Sequence, residues 1–388
     1  MRDHPLLFTI LALAVAAPGF VAVTHLVTLA VASLFYRERR PDDAAPVRFL
    51  VVVPAHNEAL VLDATLAAIT ANLRPHDRLL VVDDRSTDRT AAIAESHGAL
   101  VLRRRPEEEP GRAAARQAAI SHAADLEWDA MVMIDADSII EPGFLEACER
   151  SLGLGAAALQ VRSEAARGPR LVDQAALASF AVQGVLMPRG RDRLGMLVRL
   201  RGTGMVLRRE VVERFAFRAP ASEDLVYSLD LCRAGVRVRH AESARMRSQN
   251  AGSWKTASTQ KLRYEVGRMA AAREFVAPML RLGNLAGLEA AWFLLSPPFA
   301  TAAALLAAAL VIAAVGAPVW VVITIAAGLA GLAAVLLVAI VEARLSPRIF
   351  LALLAAPVYL IWKVVLQVRA AVSVRSGPKE FGATPRDR

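Results

Sequence analysis

The sequence predicts an α/β protein in which a parallel sheet lies between apolar segments at the two ends of the chain. Short Val, Leu and Ile runs alternate with Ala-rich helical stretches from residue 48 to about residue 249, as in βαβ units. Residues 6–35 contain no Lys, Arg, Asp or Glu, and long apolar blocks follow residue 285. Together these observations predict a folded domain flanked by membrane segments.

Composition divides the 388 residues into five segments. The first, 1–40, holds an apolar run longer than the roughly 20 residues that a helix needs to cross a bilayer. We interpret it as an uncleaved membrane anchor, and a cleavable signal peptide is the alternative. The other predicted segments are a soluble domain over 41–249, a basic amphipathic segment over 250–284, a membrane region over 285–368 and a basic tail over 369–388.

The charge pattern indicates on which side of the membrane the soluble domain lies. Arg37, Arg39 and Arg40 follow the first apolar run, and positive charge marks the cytoplasmic flank of a span. The expected location is therefore the bacterial inner membrane, with a multi-pass chain and a cytoplasmic domain. Only two cysteines, Cys148 and Cys232, agree with a reducing compartment. The net charge of +9 predicts attraction to membrane lipids, and no nucleic-acid module is recognisable.

Strands of the soluble domain are predicted from branched apolar runs, and helices from the Ala-rich stretches between them. Ser86 or Thr87 is the expected N-cap of the second helix of this domain. The sequence has no Gly-rich phosphate loop among these elements. In order, the prediction is strand Phe49–Val53, helix Leu60–Asn72, strand Leu79–Val82, helix Asp88–His97, strand Leu100–Arg103, helix Arg112–Ala124 and strand Met131–Ile134.

The C-terminal third leaves two questions open. Basic and apolar residues alternate over 250–281, which fits either a helix on the membrane surface or a surface helix packed on the domain. The apolar blocks Ala290–Val315, Val319–Val341 and Ile349–Ile361 follow. If the last block or the Pro297-Pro298 region is interfacial, the basic tail stays in the cytoplasm, so three or four spans are both possible.

Two acidic clusters directly follow predicted strands, at the edge where open α/β sheets bind ligands. Asp83-Asp84 places two adjacent carboxylates that need hydrogen-bond donors or cations, and a nucleobase or ribose can supply the donors. Asp135-Ala136-Asp137 offers hard oxygen ligands suited to Mg²⁺ or Mn²⁺, with diphosphate oxygens completing the shell. An exposed turn is the plain interpretation of Asp-x-Asp alone.

Three further segments are candidate site residues. The turn with Pro54, Asn57 and Glu58 follows the first strand and fits a base and ribose, although a structural turn is the better explanation of these residues taken alone. Arg112 opens a helix and Arg116 follows one turn later, where both can bind phosphate or form a solvated face. The pair Glu223-Asp224 lies at a predicted helix N-terminus, which keeps a carboxylate ionised as a general base requires; simple capping is the alternative.

Taken in order, these motifs resemble those of membrane-bound family 2 glycosyltransferases, in the branch of the cellulose, hyaluronan and poly-N-acetylglucosamine synthases. The resemblance covers roughly Arg48 to Arg268, and the flanking spans also match that branch. The motifs are Pro54–Glu58, Asp83–Asp88, Asp135–Asp137, Gly202-Thr203-Gly204-Met205, Glu223-Asp224 and Gln260-Lys261-Leu262-Arg263-Tyr264.

The resemblance implies a GT-A fold with a mixed sheet and inverting transfer from a nucleotide sugar, expected to be a UDP-sugar. The acceptor is expected to be a polysaccharide or a lipid-linked molecule, and Mg²⁺ or Mn²⁺ the cofactor. By motif, the resemblance implies that Asp83 and Asp84 contact the nucleoside, that Asp137 ligates the metal, and that Asp135 lies at the metal, ribose and diphosphate. It implies that Asp224 is the base, with Glu223 beside it. It also implies that Gly202, Thr203 and Gly204 shape the acceptor site and that Gln260 and Arg263 hold the diphosphate.

One residue departs from the family pattern. The last family motif ends in Trp, where this chain has Tyr264, which keeps an aromatic platform with a smaller face and a phenol. This departure affects the expected acceptor geometry and leaves three hypotheses open. The protein is a processive polysaccharide synthase, an enzyme that adds one or a few sugars to a lipid-linked acceptor, or an inactive membrane scaffold.

Overall fold

A single mixed sheet of eight strands organises the soluble domain. The computed structural model describes residues 5–39, 41, 45–166, 171–218, 222–248, 254–347, 349–350 and 356–375. Within these residues the strand order is β3-β2-β1-β4-β7-β6-β8-β5. The strands are β1 (Phe49–Ala55), β2 (Arg78–Asp83), β3 (Leu100–Arg103), β4 (Ala130–Met133), β5 (Ser138–Ile140), β6 (Ala158–Ala165), β7 (Met205–Arg208) and β8 (Val238–Ser248).

Helices cover both faces of this sheet. Side chains of alternating direction on β1 and β2 enter two separate cores, one containing Val51 and Val53, the other Leu50 and Val52. The helices of the domain are α2 (Leu62–Thr70), α3 (Thr90–Ser96), α4 (Arg112–His122), α5 (Phe144–Leu152), α6 (Leu171–Phe180), a π-helix (Ala181–Leu186), α7 (Met187–Leu194), α8 (Arg209–Arg214) and α9 (Glu223–Arg233).

The sheet is mixed, so the parallel arrangement predicted from the strand pattern holds throughout its first half, whereas the second half combines the parallel pair β6–β8 with antiparallel pairs such as β5–β8. Strands β3, β2, β1 and β4 are parallel neighbours, whereas β7 runs antiparallel to both β4 and β6. The second half escaped prediction because polar residues such as Gln160 and Arg162 interrupt its apolar pattern, although both are buried. The mixed sheet implied by the family resemblance is confirmed.

The strand order brings the predicted loops to one edge. Strands β2 and β4 lie on opposite sides of β1, so the chain changes direction across the sheet between β1 and β4. The carboxyl ends of these three parallel strands therefore border one crevice, the usual ligand site of open α/β sheets. The loops after β1, β2 and β4 carry the candidate motifs.

The predicted N-cap of the helix after β2 is wrong. Helix α3 begins at Thr90, and Asp88 accepts hydrogen bonds from the Thr90 backbone N–H at 3.0 Å and from its hydroxyl at 2.5 Å. Ser86 instead accepts the backbone N–H of Asn57 at 2.9 Å. The N-cap position is Arg89, whose side chain makes no capping hydrogen bond, and Ser86 instead joins two loops of the crevice.

Three described helices are long and apolar enough to cross a membrane. They are α1 (Pro5–Leu34), α12 (Phe299–Gly316) and α13 (Val319–Glu342). The predicted block Ala290–Val315 is not one span, because Ser296-Pro297-Pro298 ends helix α11 (Leu285–Leu295) before α12 begins. An α-helix of 11 residues is only about 16 Å long, too short to cross.

Small residues let these three helices pack closely. A Cβ atom at Gly19 would lie 2.8 Å from Leu306, and one at Gly328 would lie 2.8 Å from Phe20. Close approach at glycine is the usual way in which membrane helices associate. The result is a compact three-helix bundle of α1, α12 and α13.

The predicted amphipathic segment forms α10 (Trp254–Arg281). Its C-terminal half packs on the domain, since Phe275 and Met279 share a buried cluster with Leu229 of α9 and Leu294 of α11. A last helix, α14 (Ala356–Arg375), packs against α10 and α12. Residues 42–44, part of the third apolar block (351–355) and the tail beyond residue 375 lie outside the described residues.

A chain of ion pairs connects the domain with the bundle. Glu242 on β8 binds Arg162 and accepts a hydrogen bond from Arg189 of α7 at 2.5 Å, and Arg189 also binds Glu342 at the end of α13. Tyr36, just after α1, donates its hydroxyl to the backbone oxygen of His240 at 2.7 Å. These contacts connect β8 with the helices of the bundle.

Candidate active site

Arg116 is the centre of the crevice. Its side chain is completely buried, a position that a charged residue occupies only with partners. It contacts Glu223 at 2.9 Å, Asp135 at 3.6 Å and the backbone oxygen of Gly202 at 2.5 Å. One guanidinium therefore joins the loops after β4 and before β7 to the start of α9. The sequence suggested a phosphate contact for this arginine, whereas the structure shows it binding carboxylates.

Asp135 and Asp137 lie in the turn between β4 and β5, as the sequence predicted. Arg112, at the start of α4, is 3.3 Å from the Asp135 carboxylate, and the two acidic clusters around it raise its pKa. Thr203 accepts the backbone N–H of Asp135 at 3.0 Å, and Ser138 donates its hydroxyl to Asp137 at 3.4 Å. The turn is thus held by its neighbours with its carboxylates near Arg112 and Arg116.

Asp224 lies in the first turn of α9 beside the same cluster. Its carboxylate accepts the backbone N–H of Leu225 at 2.8 Å. A Cβ atom at Gly202 would lie 3.5 Å from both Asp224 and Arg116, so the glycine lies between the two side chains. Burial, with the charge of Glu223, raises the pKa of Asp224 to about 6. The expected effect of the helix N-terminus is outweighed, so the Asp224 carboxylate binds its proton at a pH closer to neutral than an ordinary aspartate does.

This pKa predicts the pH dependence of catalysis. A general base works only when ionised, so kcat/KM is expected to rise with pH, reach half its maximum near pH 6 and level off above it. Since the Glu223 charge contributes to the raised pKa, Glu223→Gln is expected to move the midpoint to lower pH. The measurement is a pH–rate profile of both proteins at saturating metal. A midpoint that stays unchanged in Glu223→Gln contradicts the assigned coupling.

Asp83 and Asp84 find their donors within the protein. Asp84 pairs with Arg104 at 2.7 Å and with Arg85 at 3.1 Å, and it accepts the backbone N–H of Gly111 at 3.3 Å. Asp83 accepts the backbone N–H of Ser86 at 3.1 Å. The sequence predicted that these carboxylates need donors but missed Arg104, which follows β3 and is brought to Asp84 by the β2–β3 pairing.

The loop after β1 is tied to the loop after β2. Asn57 has a left-handed backbone (φ 55°), which Asn tolerates better than most residues. Its side-chain oxygen accepts the Thr87 N–H at 2.8 Å, and the Glu58 N–H donates to Thr90 at 2.9 Å. Pro54 is the sixth residue of β1. These contacts form one wall of the crevice. Such a wall agrees with both a nucleoside-binding loop and a structural turn.

The motif Gly202-Thr203-Gly204 closes the floor of the crevice. Gly204 has a φ of 66°, and a Cβ atom there would lie 2.3 Å from Val161 and 2.6 Å from Met246. Only glycine fits this position, because the backbone and both neighbours exclude a side chain. Close packing at Gly204 therefore places Thr203 where its hydroxyl accepts the Asp135 N–H.

Helix α10 brings part of its motif to the site. Arg263 is close enough that Arg112 and the carboxylates of Glu223, Asp224 and Asp135 influence its pKa, which burial lowers. Tyr264 accepts a hydrogen bond from Arg199 at 2.7 Å. Gln260 is exposed, and no described contact joins it to the carboxylates. The contact between Tyr264 and Arg199 was not predicted from the sequence.

The carboxylates fit a divalent cation that shares its coordination with a substrate. No group of three or more His, Cys, Asp or Glu positioned for a metal occurs among the described residues. Asp135 contacts Arg112 and Arg116, and Asp137 lies in the same turn, so both carboxylates are candidate oxygen ligands. Mg²⁺ commonly binds through one or two carboxylates plus substrate phosphates, so the donor set is suitable for a metal–diphosphate complex.

A mixed sheet of this order, with Asp-x-Asp after β4 and an acidic pair opening α9, defines the GT-A class of glycosyltransferases. The family model described as glycosyltransferase like family 2 matches residues 46–267, more than half of the chain. The chain belongs to this family. The prediction of a family 2 glycosyltransferase is thereby confirmed, and the narrower likeness to polysaccharide synthases stays a prediction.

Curated relatives agree with this assignment. A probable glycosyltransferase of Bacillus subtilis (strain 168), YdaM, is 25% identical over 248 residues, which cover 60% of this chain and 58% of the relative. An uncharacterized glycosyltransferase of Mycobacterium tuberculosis H37Rv, Rv0539, is 40% identical over 106 residues, 27% of this chain and 44% of the relative. The chain thus spans about half the length of the curated relatives it matches.

A solved structure supports the fold along almost the whole chain. The mannosyltransferase PcManGT from Pyrobaculum calidifontis, determined with GDP-Man and Mn²⁺, superposes with a TM-score of 0.56 at 19% sequence identity. The match covers 87% of this chain and 98% of that protein, so it extends beyond the domain into the apolar helices. The likeness confirms the GT-A fold with its flanking helices.

Proposed function

We propose that this protein transfers a sugar from a nucleoside-diphosphate sugar to an acceptor at the membrane, by a metal-assisted single displacement. The observation that carries the proposal is the cluster around Arg116. This one buried side chain binds both the Asp-x-Asp turn and Glu223, which brings the candidate metal ligand and the candidate base to the same crevice. A scaffold protein has no need for such an arrangement of carboxylates.

The crevice offers separate places for the parts of the donor. The wall formed by Pro54–Glu58 and Asp83 is proposed to hold the nucleoside. Asp84, already compensated by Arg104, positions this wall. Arg112 and Arg263 are proposed to hold the diphosphate, because both lie beside the carboxylates and have guanidinium groups suited to phosphate oxygens. A UDP-sugar is the first candidate, and the GDP-sugar bound by the Pyrobaculum enzyme is the second.

Asp137, with Asp135 beside it, is proposed to hold Mg²⁺ or Mn²⁺ together with the diphosphate. The metal would neutralise the negative charge that develops on the leaving group. Arg112 and Arg116 contact Asp135 and hold its carboxylate in place. A divalent ion is also the cofactor in the Pyrobaculum structure.

Asp224 is proposed to accept the proton of the attacking hydroxyl group. The floor formed by Gly202–Gly204 leaves space next to this carboxylate for the acceptor. The hydroxyl oxygen attacks the anomeric carbon on the face opposite to the departing diphosphate. A bond forms and another breaks on opposite faces, so the configuration at this carbon inverts.

We also propose that the domain over 41–249 lies in the cytoplasm beneath the inner membrane. Arg37 and Arg39 after α1 and Arg344 after α13 lie at one end of the bundle, as positive charge on the cytoplasmic side requires. Three crossings return the chain to the side of the domain, where α14 packs on α10. The interfacial role of 250–284 and the cytoplasmic position of the 369–388 tail follow from this topology.

The bundle favours the hypothesis of a lipid-linked acceptor over that of a processive polysaccharide synthase. Closely packed glycines in α1, α12 and α13 leave these helices in direct contact, without the width that a passing sugar chain requires. A molecule that already lies in the membrane needs no such passage. Addition of one or a few sugars is therefore the preferred form of the proposal.

The experiment that tests the proposal is a donor screen. The purified full-length protein is incubated with UDP- and GDP-sugars, membrane lipid extract as the source of acceptor, and either Mg²⁺ or Mn²⁺, and release of the nucleoside diphosphate is measured. Asp137→Asn is expected to lower metal-dependent release by at least a hundredfold, since one ligand of the metal–diphosphate complex is removed. Asp125→Asn, on an exposed loop, is the matched control and is expected to keep full release.

Two outcomes contradict the proposal. One is an Asp137→Asn protein that is folded and releases the nucleoside diphosphate as fast as the unchanged protein. The other is a lack of metal-dependent nucleotide binding in calorimetry for every donor, which supports the scaffold hypothesis instead.

A further inference from the structure

Four cations lie between the catalytic crevice and the membrane helices: Arg199, Arg201, Lys261 and Lys363, together called the junction cluster. Tyr264 of α10 binds Arg199, and Lys261 lies three residues earlier on the same face of that helix. The ammonium groups of Lys261 and Lys363 are in contact, which brings α14 into the cluster. The loop with Arg199 and Arg201, helix α10 and helix α14 thus place positive charges close together.

The junction cluster has more positive charge than its described neighbours balance. Glu265 is the carboxylate nearest to the two lysines, and it already binds Arg268 at 3.1 Å. Burial, together with the adjacent Lys363, lowers the pKa of Lys261 to about 7, and burial with Arg199 lowers the pKa of Arg201. Like charges held together away from water are unfavourable until an anion joins them.

Two arginines of the cluster also have buried donors without a hydrogen-bond acceptor. Within the described residues, Nε of Arg199 and Nη1 of Arg201 have no partner. Both guanidinium groups are held by rings, with Arg199 3.9 Å above Phe293 and Arg201 5.0 Å above Phe180. Planar groups fixed in this way present their N–H edges to an incoming oxyanion, the geometry in which arginine recognises phosphate.

The junction cluster is separate from the place proposed for the donor diphosphate. The pKa of Arg263 is influenced by the charges of Arg112, Glu223, Asp224 and Asp135. The pKa of Lys261 is instead influenced by Lys363, Glu265 and Arg201. Two residues along a helix are about 200° apart, so Arg263 and Lys261 point to nearly opposite sides of α10. One side faces the donor, and the other faces α14 and the membrane helices.

A mainly apolar cavity, widely open to its surroundings, lies on the flank of the bundle. Its volume is about 440 Å³, and it is lined from α1 and α11 by Phe20, Val21, Thr24, His25 and Trp292. Trp292 precedes Phe293, the ring beneath Arg199. Because α1 is a candidate span, a molecule that fills this cavity is drawn from the membrane. A molecule with a phosphate group on an apolar chain would fit both the junction cluster and this cavity.

We propose that the junction cluster binds the phosphate group of a lipid-borne acceptor and so holds the attacking hydroxyl group of that acceptor near Asp224, an inference that rests on the proposed function. The lipid chain would occupy the apolar cavity beside α1 and α11. Arg201 is the central residue, since it lies one position before Gly202 and senses the Asp224 charge. The bound anion removes the repulsion among the four cations and completes the acceptor side of the crevice.

The test measures ligand binding by the full-length protein in detergent micelles. The probes are farnesyl phosphate, farnesol and inorganic phosphate, and a nucleoside diphosphate with Mn²⁺ is titrated in parallel. Farnesyl phosphate is expected to bind at least tenfold more tightly than farnesol or inorganic phosphate. Arg201→Gln is expected to weaken farnesyl phosphate binding about tenfold or more and to leave nucleotide affinity unchanged, while Arg201→Lys retains part of the binding.

Arg193→Gln, at an exposed arginine of α7, is the control and is expected to bind all probes normally. Lys363→Gln tests the same prediction from another helix if Arg201→Gln does not fold. Equal affinity for farnesol and farnesyl phosphate overturns the inference, as does equal affinity for inorganic phosphate. Loss of nucleotide binding in Arg201→Gln also overturns it, since the cluster then holds the donor. Absence of nucleotide binding in the unchanged protein instead rejects the proposed function.

Discussion

Replacing Asp224 with asparagine is expected to lower the rate of sugar transfer by about 10²–10⁴-fold, the usual contribution of a general base. The amide has nearly the shape of the carboxylate and can still accept the Leu225 N–H, so α9 is expected to fold unchanged. It has no basic oxygen for the acceptor proton. The measurement is transfer from a labelled donor by the purified variant, with the nucleotide affinity determined in the same preparation.

The matched control for this variant is Asp230→Asn, on the same helix. Asp230 pairs with Arg218 at the surface, away from the crevice, so its loss costs at most about 1 kcal/mol. Transfer by this control is expected to stay within about twofold of the unchanged protein. A folded Asp224→Asn protein with normal nucleotide affinity and normal transfer would show that another group removes the proton.

Replacing Arg116 with methionine is expected to destabilise the domain and nearly abolish transfer. Methionine fills most of the space but leaves Glu223 without its cation, while Asp135 keeps Arg112. Removal of one member of a buried ion pair typically costs about 3–5 kcal/mol. For a domain of about 200 residues this corresponds to a Tm lower by about 10 °C. Differential scanning fluorimetry in detergent measures the change.

Two further variants separate charge from geometry at this position. Arg116→Lys restores the charge, but an ammonium group lacks the planar fork that reaches Glu223, Asp135 and the Gly202 oxygen, so recovery is expected to be partial. Arg89→Met, at an exposed arginine, is the control with no expected change in Tm. An Arg116→Met protein with normal Tm and normal transfer contradicts the central position of this residue.

The sequence predicted the parallel half of the fold because its strands are continuous apolar runs. Strand β3 has the predicted bounds, and β1, β2 and β4 differ from prediction by one or two residues at their ends. The second half of the sheet, which contains both parallel and antiparallel pairs, was not predicted from the pattern, since its pairing depends on long-range contacts. The break between α11 and α12 was recognisable from Pro297-Pro298, but their apolar surroundings favoured one continuous span.

The candidate site shows a similar division between local and distant information. The acidic motifs were found because each follows a strand or opens a helix, and such positions are visible in a short window. Arg104 and Arg116 were not assigned to their carboxylates, because the partners lie 20 and more than 100 residues away. The pKa of Asp224 also depends on burial, which local sequence does not report.

The junction cluster illustrates the same limit at the membrane. Lys261 and Lys363 are 102 residues apart, and only the packing of α14 on α10 brings their like charges together. In the sequence, both residues belong to a general excess of basic residues near apolar segments. The folded chain concentrates part of that excess at one place, next to the proposed base.

The configuration of the transferred sugar tests the account most directly. The full-length protein is supplied with an α-linked nucleoside-diphosphate sugar, the divalent metal and membrane lipid extract, and proton NMR of the product gives the anomeric coupling constant. A single displacement with Asp224 as base predicts a β-linked product, formed by the unchanged protein and absent with Asp224→Asn. An α-linked product requires two displacements or a different mechanism and would contradict the assignment of one base acting opposite the leaving diphosphate.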